Sequence, residues 1–135
     1  PGNVLVTADL KLKILDFGIT ARLDIGAAGS ASVCGTPFYM APEQIRGEVP
    51  TPATDIYAFG ATAFHLATGR PPFARGNVLD AHLEQEPPDP RELAPDLLPA
   101  LAAVILRCLR KDPSERYSSA NELEDELLRI AAAVS

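Results

Sequence analysis

The chain has no long hydrophobic run. Its most apolar stretch, residues 56–68, is interrupted by Gly60 and His65, well short of the ~20 apolar residues that a membrane-spanning helix needs. No contact of this segment with a membrane is therefore expected. No secretory leader is visible, and the chain begins at Pro1 instead of Met, so its true start is expected upstream. Basic charge is also scarce: 12 Lys and Arg stand against 18 Asp and Glu, a formal net charge of −6. That balance argues against nucleic acid as the main partner. Cysteine is limited to Cys34 and Cys108, which excludes a disulfide framework and fits no metal motif. Cys108 keeps step with Leu101, Val104 and Ile105 and reads as a small core residue. Cys34 sits beside Gly35 with no neighbour that would lower its pKa.

What is present is an ordinary globular composition, 47% hydrophobic and 22% charged, in one domain or part of one. Val4-Leu5-Val6 and Leu12-Lys13-Ile14-Leu15 are short β-type runs that read as a hairpin. A Gly/Ala/Ser-rich loop without hydrophobic period follows, and then a short helical segment from Pro42 to Arg46, stopped by Gly47. A central helix is predicted over about 52–68, with Thr51 as cap, Pro52 in the first turn and Gly69 as the stop. Ile56, Phe59, Ala63, Phe64 and Ala67 recur at helical spacing, and Tyr57 and Ala61 widen the band, so the rest of the domain should pack around this helix. Asp55 in its first turn is then a carboxylate entering a core, which needs donors. Asn77 caps a short helix over 78–85, and 87–90 is expected to be an extended connector. Helices over 99–110 and from Ser119 to about residue 133 complete the chain, the latter opened by a Ser119/Glu122 capping box. Leu123, Leu127 and Ile130 form its core stripe. No internal repeat is visible.

Asn3 and Asp16 lie thirteen residues apart on the outer ends of the two hairpin strands. An amide oxygen and a carboxylate brought together there are hard ligands suited to Mg²⁺, although both residue types also end strands for turn reasons. The wider pattern is more specific. Asp16-Phe17-Gly18 and Ala41-Pro42-Glu43 resemble the two ends of a protein-kinase activation segment, 16–43 here. Asp55-Ile56-Tyr57-Ala58-Phe59-Gly60 resembles the start of that family's central helix, and Thr68-Gly69-Arg70-Pro71-Pro72-Phe73 the turn after it. Lys111-Asp112-Pro113-Ser114-Glu115-Arg116-Tyr117 is similar to the family's late arginine motif. Five motifs in the right order span nearly the whole chain.

The resemblance implies a mainly α fold with a small β-hairpin, the C-terminal lobe of the protein-kinase-like fold without its N-terminal lobe. Residues 1–135 would then be a partial kinase domain, with the N-lobe of the parent chain as a partner. Asp16 would hold the Mg²⁺ that bridges the ATP phosphates and Asn3 the second Mg²⁺, with Mn²⁺ as an alternative metal. Glu43 and Arg116 would form a buried ion pair at the end of the activation segment. Asp55 would anchor the central helix to the catalytic loop. Gly35-Thr36 would floor the acceptor site, with the Thr36 hydroxyl toward the catalytic base. Ser30 and Ser32 are candidate phosphosites, and two small loop residues is the alternative reading. His65 and His82 read as packing or surface residues.

Gly-Thr-Pro-Phe-Tyr-Met before Ala41 is similar to serine/threonine kinases, and the chain has no tryptophan, which tyrosine kinases usually carry in this stretch. The sequences around His82-Leu83 and 87–90 look like bacterial members. The resemblance thus implies cytoplasmic transfer of the ATP γ-phosphate to protein Ser/Thr hydroxyls, whether or not the parent is membrane-anchored elsewhere. The family's catalytic Asp lies five residues before the metal-binding Asn, which is three residues upstream of Pro1. The lysine that contacts the transferred phosphate would immediately precede Pro1. The segment alone is therefore expected to be inactive. A kinase-like pseudoenzyme or scaffold module that binds protein partners is the alternative, and intact Asn3 and Asp16 weigh against it.

Overall fold

A computed structural model of the chain describes residues 4–7, 12–14 and 37–135. Pro1–Gly35 and Thr36–Ser135 form two compact units. In the first, strands β1 (Val4–Val6) and β2 (Leu12–Ile14) pair antiparallel, with Val4 opposite Ile14 and Val6 opposite Leu12. The turn expected between them lies outside the described residues.

The second unit is helical. A 3₁₀ turn, Pro37–Tyr39, leads into α1 (Pro42–Ile45). Helices α2 (Pro52–Thr68), α3 (Val78–Glu84), α4 (Pro99–Cys108) and α5 (Ala120–Ala133) follow in order. Gly47 and Gly69 adopt positive φ, 74° and 80°, where a side chain would be strained, and so end α1 and α2. The start of α2 departs from the expected cap. The Thr51 side chain makes no capping bond; instead the buried Thr54 hydroxyl accepts from the Thr51 N–H at 3.0 Å. Asn77 does cap α3, accepting from the Asp80 N–H.

Two boundaries shift, and one cap closes differently. Pro90 leaves the extended connector to open a 3₁₀ turn, Pro90–Glu92, because a proline needs no N–H at a first helical position. The Asp89 carboxylate caps that turn through the Arg91 N–H at 2.9 Å. Helix α4 ends at Cys108, two residues before Arg110. At α5 the Ser119 hydroxyl accepts from the Glu122 N–H at 3.1 Å. The Glu122 carboxylate returns not to Ser119 but to the N–H and hydroxyl of Ser118, both at 2.7 Å.

Helix α2 supplies both halves of the core. Tyr57, Ala61 and Phe64 pack with Ala41, Ile105 and Leu109, while Ile56 packs with Val104, Cys108, Tyr117 and Leu123. Helices α2 and α4 approach closely at Gly60, where an added Cβ would lie 2.6 Å from the Cys108 Cβ. Gly60→Ala should therefore destabilise the unit. Overpacking costs about 1–3 kcal/mol, against about 1 kcal/mol regained from replacing a glycine inside a helix. A lower urea midpoint at unchanged slope is the expected outcome; a raised midpoint would contradict the close approach.

The remaining face of α2 is open. Asp55, Phe59 and Leu66 form one stripe, the two apolar residues 40% and 65% exposed. Packing around α2 is thus less complete than its composition predicts. Asp55 does not enter the core: it is exposed on this stripe.

Candidate functional site

The motif residues within the second unit converge on the Arg116 guanidinium. Arg116 lies just past a 3₁₀ turn, Pro113–Glu115, which is capped by the Asp112 carboxylate through the Ser114 N–H. Its side chain is fully buried and all five of its N–H groups are used. Nη1 donates to Glu43 Oε1 and to the Ala53 carbonyl, both at 2.7 Å. Nη2 donates to Glu43 Oε2 at 2.9 Å and to the Lys111 carbonyl at 3.1 Å, while Nε donates to the Arg110 carbonyl at 2.8 Å. The two bonds to Glu43 form the planar fork that carboxylate and guanidinium share.

Glu43 is held as completely. Its Oε1 also accepts from the Thr54 hydroxyl at 2.9 Å, so Thr54 closes α2 with its oxygen and binds Glu43 with its proton. Burial alone would raise the Glu43 carboxyl, but the Arg116 and Thr54 hydrogen bonds outweigh it and hold the group below its ordinary value. The guanidinium carbon lies 4.9 Å from the centre of the Tyr57 ring. Burial pushes the Tyr57 hydroxyl well above its ordinary pKa, so it stays protonated.

A second polar layer lies behind Tyr57. The Tyr57 hydroxyl meets His82 Nδ1 at 2.7 Å, with both residues fully buried. The His82 ring is edge-on to Phe73, centroids 5.0 Å apart. Burial, with the nearby Lys111 ammonium, lowers the His82 pKa to about 4, the Phe38 backbone opposing the drop. The imidazole is therefore neutral at pH 7. With Tyr57 donating to Nδ1, the ring proton sits on Nε2, which has no partner of ordinary hydrogen-bond geometry. Lys111 Nζ donates to the carbonyls of Ala81 and His82 at 3.1 and 2.8 Å, favourable company for the C-terminal end of α3. Burial lowers the Lys111 pKa to about 8. Burial likewise pushes the Cys108 thiol up to about 12, which makes it an inert core residue.

The turn Pro37–Tyr39 packs against both α2 and α3. The Tyr39 hydroxyl meets His65 Nδ1 at 2.6 Å, the two rings nearly parallel at 10°. Glu43, Arg116 and Asp55 are thus placed, the first two together and Asp55 on the open face of α2. Asn3, Asp16, Ser30, Ser32 and Thr36 lie outside the described residues. Among the described residues no group of three His, Cys, Asp or Glu side chains could hold a metal, and no helix is long and apolar enough to cross a membrane. Sequence reasoning gave Thr54 no role, read Tyr57 as part of the apolar band and His65 and His82 as packing or surface residues, and placed Lys111 only as the start of the late arginine motif. Only Thr54, three residues beyond Thr51, carried a usable signal, the spacing of a reciprocal cap.

This helical fold, with a glutamate from an Ala-Pro-Glu triplet bound to a late arginine, matches the protein kinase domain family over residues 1–128. The chain belongs to that family. It is similar to bacterial serine/threonine kinases. With serine/threonine-protein kinase PknB of Mycolicibacterium smegmatis it shares 35% identity over 96% of its length and 22% of the relative's. With serine/threonine-protein kinase PksC of Streptomyces coelicolor it shares 38% identity over 98% of its length and 25% of the relative's. A probable serine/threonine-protein kinase of Clostridium acetobutylicum is 37% identical over 96% of the chain and 20% of its own length. The chain thus spans between a fifth and a quarter of the relatives it matches.

Proposed function

We propose that residues 1–135 are the C-terminal-lobe part of a serine/threonine protein kinase that transfers the γ-phosphate of ATP to Ser or Thr hydroxyls of protein substrates. The observation that carries this reading is the Glu43–Arg116 pair with every guanidinium N–H used. It fixes the Ala41-Pro42-Glu43 end of the segment that begins at Asp16, and a segment so fixed at one end has a defined place to present an acceptor. Thr36 floors that place. Asp55, exposed on α2, is free to receive the catalytic loop of the parent chain. Ser30 and Ser32 are sites at which phosphate would order the loop.

Asn3 and Asp16 would hold Mg²⁺ with ATP, since an amide oxygen and a carboxylate are the hard donors that ion takes. They lie one residue before β1 and two after β2 in sequence. Bound Mg²⁺ would neutralise charge developing on the phosphates. A scaffold that binds protein partners without catalysis has no use for this donor pair, which favours the enzyme. The acceptor binds at a protein surface inside the cytoplasm.

The full-length protein, incubated with radiolabelled ATP and a basic protein acceptor, should yield phosphoserine and phosphothreonine. Asp16→Ala should abolish the label. Phosphotyrosine alone, or no transfer by the unaltered protein, would overturn the reading. Residues 1–135 by themselves, which contain no catalytic Asp before Asn3, should transfer no label above a buffer control.

A further inference from the structure

The chain between α1 and α2 runs in the open. Residues 46–52 are all exposed, and Val49, at 83%, is the most exposed large hydrophobic side chain among the described residues. Pro50 and Pro52 bracket Thr51, and neither has an N–H with which to join a sheet ladder. Proline also biases the residue before it toward extended backbone, and Thr51 lies there, at φ −126° and ψ 172°.

The Thr51 hydroxyl is unused. Elsewhere in the helical unit such groups are committed. The Thr54 hydroxyl is buried and donates to Glu43, and Thr68 donates to the Phe64 carbonyl. Ser114 and Ser118 donate to the Asp112 and Glu122 carboxylates, Ser119 caps α5, and Ser135 donates to the Ala131 carbonyl. Of the described Ser and Thr in this unit, only Thr51 and Thr62 make no side-chain hydrogen bond, and Thr62 lies inside α2. A phosphoryl-transferring enzyme must bring the acceptor hydroxyl into line with the γ-phosphate, which an extended loop permits and a packed helix does not. Thr51 alone is exposed, extended and unbonded.

We propose that Thr51 is a phosphorylation site, the acceptor for an ATP-dependent serine/threonine protein kinase. In the transfer, Thr51 Oγ1 bonds to the γ-phosphorus of ATP as the bond from that phosphorus to the β,γ-bridging oxygen breaks. ADP leaves with the bonding pair, and the hydroxyl proton passes to the general base of the transferring enzyme. Exposed Glu48 and Val49 give that enzyme side chains to hold on the same run. The phosphate adds about −1.5 to −2 of charge close to the Ala53 N–H, which makes no hydrogen bond, and one of its oxygens accepts from that donor. Asp55 is a like charge four residues on, but it is exposed and screened by salt. The Thr51 N–H donates to Thr54, whose hydroxyl donates to Glu43, so the modified residue stands two hydrogen bonds from the buried ion pair. Phosphorylation thus stiffens the link between α1 and α2 from the surface. The site is an acceptor whether the donor enzyme is another copy of the parent protein or a separate kinase.

The test isolates the full-length protein from the cells that make it and maps phosphate by mass spectrometry. Trypsin releases residues 47–75 as one peptide, cut after Arg46 and Arg75, because Pro71 protects the bond after Arg70. That peptide contains Thr51, Thr54, Thr62 and Thr68 and so compares them directly. Phosphate should fall on Thr51 and on none of the other threonines. Thr51→Val should remove it at an unchanged melting temperature, since the deleted hydroxyl bonds to nothing. In the phosphorylated protein the Ala53 amide should exchange about tenfold more slowly, the weight of a hydrogen bond to a charged group. Asp16→Ala separates the donors: phosphate lost from Thr51 assigns the transfer to the parent's own activity, phosphate retained assigns it to a separate kinase, and either result supports the site. An unmodified Thr51, or phosphate shared equally with Thr54, Thr62 or Thr68, would overturn the assignment. An Ala53 amide indifferent to the phosphate would overturn the stiffening of the link.

Discussion

Arg116→Met should unfold the helical unit or bring it close to unfolding. The substitution leaves the Glu43 carboxylate, 2% exposed, without its partner, and strips donors from the carbonyls of Ala53, Arg110 and Lys111. Removing one member of a buried pair costs about 3–5 kcal/mol, against a typical domain stability of roughly 5–15 kcal/mol. Glu43→Gln should cost less, because an amide oxygen still accepts from Thr54 and from one guanidinium nitrogen. Arg91→Met provides the contrast. Arg91 makes a short fork with Asp89, but on the surface, where water screens such pairs and leaves them little net worth. Urea midpoints of the three variants give the ordering directly. A loss in Arg116→Met no larger than in Arg91→Met would show that the pair does not hold the unit together.

Mild acid should weaken the same unit through His82. The folded-state pKa of about 4 lies below the ordinary 6.5 because the ring is buried and Lys111 is near. Above pH 6.5 the ring is neutral folded and unfolded, so the shift contributes nothing to the pH dependence. As the pH falls from 6.5 toward 4 the unfolded chain takes up the proton first, and stability drops, by roughly 3 kcal/mol at the lower limit. Glu43 acts at lower pH still, since its carboxyl is held below its ordinary value and must be protonated before its bonds to Arg116 fail. Between pH 6.5 and 5 the depressed His82 pKa lowers stability before Glu43 acts. Denaturation midpoints in that interval should fall with acid in the unaltered chain and stay flat in His82→Gln, whatever the starting stability of that variant. An equal slope in both would remove His82 as the cause.

Much of this was legible in the sequence wherever one local rule decided it. The period of Ile56, Tyr57, Phe64 and their neighbours locates α2, Gly69 ends it, and Asn77 and Ser119 open α3 and α5. The kinase-like motifs bring Glu43 and Arg116 into view as a pair although 73 residues separate them. The histidines were not legible. His65 and His82 find their tyrosines 26 and 25 residues away, and in a helical pattern such a side chain reads equally well as surface or as filler. Asp55 misled for a related reason: the α2 pattern is apolar on most sides, and only the packed structure shows that Phe59 and Leu66 share an open stripe with it. Thr54 reversed the expected cap because Glu43, a partner from another helix, draws its hydroxyl inward.

The separation between Glu43 and Arg116 also sets an order of events during synthesis. At ~5–20 residues per second a ribosome takes about 4–15 s to pass from residue 43 to residue 116. Throughout that interval the glutamate has no guanidinium to receive it, and seating it in the core would strand a charge. The Ala41-Pro42-Glu43 end of the segment must therefore wait, undocked, until the rest of the unit has been made. A nascent chain stalled short of residue 116 would carry α2 and α4 but not the residue that locks the segment, and so would display that end to chaperones and proteases as unfinished.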